Sequence, residues 1–67
     1  MGAEQIDQVF WFEKRRHMVV TYGDGRPDST GAPESVAAVV AEEAGLVLVP
    51  TLPGVVRWVR PAALSAA

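Results

Sequence analysis

Apolar residues alternate or run together in four places along this chain, and each placement predicts an element. Val9-Phe10-Trp11-Phe12 and Met18-Val19-Val20-Thr21-Tyr22 are rich in aromatic and β-branched residues, the types that suit a pleated surface. Joined into one strand they would reach about 55 Å at roughly 3.3 Å per residue, too long for so small a domain. A hairpin turning near Lys14-Arg15 is the better reading, although no Gly or Asn-Gly marks the turn. Leu46-Val47-Leu48-Val49 is a continuous apolar run, which predicts a strand covered on both faces. Val55 to Arg60 predicts the last strand, stopped by Pro61.

Between the hairpin and the third run lies Gly23-Asp24-Gly25-Arg26-Pro27-Asp28-Ser29-Thr30-Gly31, which reads as a loop on turn chemistry. A helix is expected from about Pro33 to Ala44. Proline suits a first turn, Gly45 suits the position just past the end, and Ser29 or Thr30 could help to cap. Val36, Val39 and Val40 form its apolar stripe, with Ala37 and Ala44 at the edges. The order ββαββ gives an α+β fold, one helix packed on a mostly antiparallel four-stranded sheet. That order resembles the topology of ubiquitin-like β-grasp domains. The sulfur carriers among those end in Gly-Gly, and here the last residues are Ser65-Ala66-Ala67, so the likeness concerns topology alone.

Strand parity then exposes a problem. Phe10 and Phe12 point to one side, Val9 and Trp11 to the other, and the remaining strands also put large apolar residues on both sides. A sheet with one wet face should be polar on it. One helix of about twelve residues covers one face, so the second is expected to meet a partner. Phe10, Trp11, Phe12, Val20, Tyr22 and Trp58 are the pool from which core and protein interface are drawn, since aromatic side chains anchor interfaces. A second copy is the simplest partner, because a twofold dimer needs one self-complementary patch.

Composition narrows the chemistry. The 67 residues, at 49% hydrophobic and 21% charged, fit a single small globular domain with loose ends at 1–5 and 62–67. A chain this short without disulfides buries little core, so a partner's contribution to stability is large. There is no cysteine, which removes thiol catalysis and thiolate metal sites. No cofactor and no metal site is expected. The one histidine, His17, sits in a basic run, and no nucleophile, base and orienting group come together, so a non-enzymatic role is expected. The glycine-rich stretch lacks the third glycine and the Gly-Lys-Ser/Thr of phosphate loops. No apolar run approaches membrane-spanning length and Met1 to Gln5 lack the features of a signal peptide, so a cytoplasmic place is expected. The Val, Ala, Arg, Gly and Pro bias is that of a GC-rich bacterial gene.

Two functions follow as expectations. The first is a protein-interaction module that self-associates through its apolar sheet face. The alternative is a nucleic-acid-binding regulator, in which Lys14, Arg15, Arg16 and Arg57 contact phosphates beside the aromatic residues. The net charge of −2 weighs against a chain that coats nucleic acid with its whole surface.

Overall fold

The computed structural model describes residues 4–65; the expectations for residues 1–3 and 66–67 lie outside them. The chain forms β1 (Ile6–Phe12), β2 (His17–Tyr22), β3 (Pro27–Gly31), α1 (Glu34–Glu43), β4 (Val47–Val49), β5 (Val55–Val59) and a short α2 (Pro61–Ser65). The fold is α+β, with α1 on an antiparallel sheet of order β3-β2-β1-β5-β4. The sheet therefore has five strands, not four. Pro27-Asp28-Ser29-Thr30-Gly31 reads as a loop in sequence because, Thr30 apart, none of its residues favours a strand. It pairs nonetheless along β2, from Thr21↔Pro27 to His17↔Gly31, as an edge that is exposed throughout. Proline is tolerated there because an edge strand leaves one side unpaired. Residues 62–65, part of the tail 62–67 read as loose, are helical within α2.

The β1–β2 hairpin turns over Glu13 to Arg16, where the Arg16 N–H donates to the Glu13 carbonyl at 3.2 Å. Arg16 supplies the left-handed residue with φ of 50°, a position glycine would fill without strain. This is why the turn carries no glycine signal. At the other end of β1 the register passes from Ile6↔Tyr22 to Gln8↔Thr21, leaving Asp7 as a bulge. The extra residue turns Ile6 back toward the helix side, where it packs on the core.

Val9, Trp11, Met18, Val20 and Trp58 come from the sheet side of that core, and Ala37, Ala41 and Leu46 cover them. Ala37 and Ala41 have no exposed surface, while Val36 and Val39 are 43% and 52% exposed. The helix thus presents alanine to the sheet, correcting the valine stripe read from sequence. Two indoles beneath it leave room only for methyl groups. Trp11 also donates its indole N–H to the Ala32 carbonyl at 2.8 Å, tying the segment before α1 to the sheet. Pro33 occupies the N-cap with no side-chain cap; Ser29 and Thr30 are instead paired in β3 opposite Val19 and Met18. At the other end Gly45, at φ of 79°, lets its own N–H reach Glu42 and the Leu46 N–H reach Ala41. This double bond closes the helix, and Leu46 is buried against it.

A second correction concerns β4. It lies at the sheet edge, paired only with β5, with Val47 37% and Leu48 64% exposed. Five strands about 4.8 Å apart span roughly 20 Å, whereas a helix is about 10 Å wide. α1 rests on β1 and β2 and does not reach over β4.

Candidate binding face

The side of the sheet away from α1 is composed by register. One row runs His17, Phe12, Val55; the next Val19, Phe10, Arg57, Val49; the third Thr21, Gln8, Val59, Val47. Among the described residues, α2 is the one element placed near this side. Its Ala63 shares a hollow of about 220 Å³ with Asp7, Gln8, Arg57, Val59 and Arg60. Val59 there is buried although it is no part of the core under α1. Arg60 bonds the Asp7 carboxylate at 3.3 Å and the Ile6 carbonyl, which fastens that end of β5 to the bulge. The Phe10, Phe12 and Val19 part of the face stays half-buried and free of any covering element.

Three aromatic rings form a ladder across it. Phe10 and Phe12 stand 6.1 Å apart at 14°, and Phe12 and His17 stand 5.1 Å apart at 19°. Residues two apart on a strand, and residues opposite each other on paired strands, are brought together in this way. The Arg57 guanidinium lies over the Phe10 ring at 5.3 Å. Its Nε and Nη2 both donate to Gln8 Oε1, at 3.1 and 2.8 Å, which holds the fork in place. Gln8 is neutral, so the charge on Arg57 is oriented but not cancelled.

Around Phe12 the surface is dished. One hollow of about 490 Å³ is lined by Phe12, Lys14, Arg15, His17 and Val19, and its walls are mostly apolar. Another of about 620 Å³ lies between Phe12, Glu13, Lys14, Pro53, Gly54 and Val55. The Glu13 N–H donates to the Gly54 carbonyl at 2.9 Å, so the hairpin end and the β4–β5 loop are held side by side. The laddered rows themselves carry no acid, but Asp7, at the β1 bulge, lines the Ala63 hollow with Arg57 and pairs with Arg60, and Glu13 lines the hollow beside Phe12. Glu34, Glu42 and Glu43 lie on α1, Asp24 in the β2–β3 turn, and Asp28 on the α1 side of β3. The protein is acidic overall, while around the Phe10 and Phe12 rings Lys14, Arg15 and Arg57 outnumber Glu13.

The residues singled out from sequence divide accordingly. Phe10 and Phe12 lie on the uncovered face. Trp11, Val20 and Trp58 are at most 6% exposed beneath α1, so their share of the pool is core. Tyr22 is half-buried against the same core, with Arg26 stacked 4.6 Å from its ring centre. Lys14, Arg15 and Arg16 are exposed at the hairpin end, and Arg57 is central. His17 belongs to the face and closes the basic hairpin segment 14–17 that the sequence marked for nucleic acid; Gln8 and Val19 also belong to the face and escaped the sequence reading. Parity counted from Phe12 through a four-residue turn places His17 on the face, and parity along β1 places Gln8 with Phe10; only the meeting of Gln8 with Arg57 requires the β1–β5 register. Comparison of the chain with protein-family models, with curated proteins and with solved structures finds no match.

Proposed function

We propose that the uncovered sheet face is a non-enzymatic binding platform for single-stranded nucleic acid. The observation that supports this most is the Phe10–Phe12–His17 ladder on the uncovered face, with the oriented Arg57 beside it. Unpaired bases stack on aromatic side chains, and each stacked base contributes about 1–3 kcal/mol. Phosphates would be met by Arg57 and by Lys14, Arg15 and Arg16 at the hairpin end. Holding Arg16 in a left-handed conformation costs about 1–2 kcal/mol, and the turn carries that cost with a cation in place.

Face-to-face pairing of two copies fits less well. It would bring the Arg57 of each copy into a dry interface, where its side-chain partner is the neutral Gln8 and the nearest carboxylate, Asp7, is already paired with Arg60. An unpaired buried charge costs several kcal/mol. An anionic partner turns the same arrangement into an attraction.

The test is fluorescence anisotropy with a labelled single strand of about ten nucleotides, at two or more salt concentrations. Binding is expected to weaken with salt, with a slope of roughly −0.7 per phosphate contacted. Phe12→Ala should weaken it by about 5- to 150-fold, the equivalent of one stacked base. Arg57→Gln should flatten the salt slope by about 0.7. Absence of binding at low salt removes the proposal, as does a Phe12→Ala protein that binds like the parent.

A further inference from the structure

The two edges of this sheet are built differently. β3 carries Pro27, Asp28 and Gly31, the residues by which edge strands avoid pairing with another chain. β4 carries Val47-Leu48-Val49 and no such guard, and no charged residue occurs between Glu43 and Arg57. Among the described residues its outer backbone groups have no strand to bond to, and Leu48 stands 64% exposed on the α1 side, beyond the reach of α1. An apolar edge with open backbone groups is a template for one more strand.

We infer that β4 is a dimer seam, pairing antiparallel with β4 of a second copy about a twofold axis at Leu48. The strand is three residues long and reads the same in both directions. Centring the axis on Leu48 therefore pairs every residue, Leu48 with its own copy and Val47 with Val49 of the other. Each of these pairs is apolar, so no charge is buried. Residues directly opposite in a ladder point to the same side, so the two sheets become one of ten strands. Both aromatic faces then look the same way. The seam rests on the edge and not on the nucleic-acid reading, and either can fail without the other.

Two measurements test it. Light scattering at high micromolar concentration should give twice the 7.2 kDa chain mass. Leu48→Lys should return it to one chain, since like charges placed opposite each other repel. That side chain is mostly solvent-exposed, so circular dichroism should show the fold unchanged. Cysteine substitution then reads the register, in a chain with no cysteine of its own. Directly opposed residues in a ladder are about 4.5–5.5 Å apart between Cα atoms, within disulfide range. Leu48→Cys should cross-link to its own copy under mild oxidation, and an equal mixture of Val47→Cys and Val49→Cys should cross-link more than either alone. Leu52→Cys, equally exposed but roughly 25 Å from its counterpart if the chain stays extended, controls for collision. A wild-type mass of one chain overturns the seam. So does a dimer that survives Leu48→Lys, or cross-linking no faster at position 48 than at 52.

Discussion

Ala41 is the position at which the packing of this domain is most open to test. It has no exposed surface and faces a sheet whose knobs are Trp11 and Trp58. Ala41→Leu adds three heavy atoms where none fit, and overpacking of this kind costs about 1–3 kcal/mol. In a domain of this size each kcal/mol moves the melting point by about 4–8 °C. Ala41→Leu should therefore melt on the order of 5–20 °C below the parent, with Ala41→Val between them. Val39→Ala is the counter-experiment. Val39 is 52% exposed, so the apolar surface lost is small, and alanine returns about 0.5 kcal/mol of helix propensity. Its stability should lie within about 0.5 kcal/mol of the parent. Urea unfolding followed at 222 nm resolves the two, because the slope for a small domain is near 1 kcal/mol per molar. Should Val39→Ala prove the damaging change and Ala41→Leu the harmless one, α1 must be turned to face the sheet with its valines.

Two further outcomes are expected. Arg16→Gly should raise the urea midpoint by the equivalent of about 1 kcal/mol, because glycine adopts φ of 50° freely, and it should also weaken oligonucleotide binding; a destabilised variant would refute the strain assigned to that turn. Trp11→Phe removes the donor to the Ala32 carbonyl and should cost about 1–3 kcal/mol of stability, read from the same unfolding curve; an unchanged midpoint would mean the bond contributes nothing net.

Sequence by itself determined the fold class, the hairpin, the single long helix and the sidedness of β1. Each of these depends on local periodicity and on residue types that report their own geometry. Pro and Gly around 33–45 marked the helix because backbone freedom is a property of single residues. Phe10 and Phe12 shared a face as soon as β1 was a strand. Tertiary structure decided the rest. Pro27 to Gly31 became a strand because β2 offered it a ladder, against the local preference of every residue but Thr30. Ala37 and Ala41 took the buried stripe from Val36 and Val39 because the volume of two indoles below them set the distance of approach. Leu46 to Val49, apolar throughout, was buried only at Leu46 and, in part, Val49, since the width of one helix runs out before it reaches Leu48, and Val47 and Val49 lie on the side that α1 does not cover. Arg57 became central to the candidate face through the β1–β5 register, which joins residues 49 apart and leaves no trace in a local window. Local pattern fixes what each segment can be. Which segments lie side by side depends on shape and volume shared across the whole chain, and so do the face and the edge on which binding is proposed.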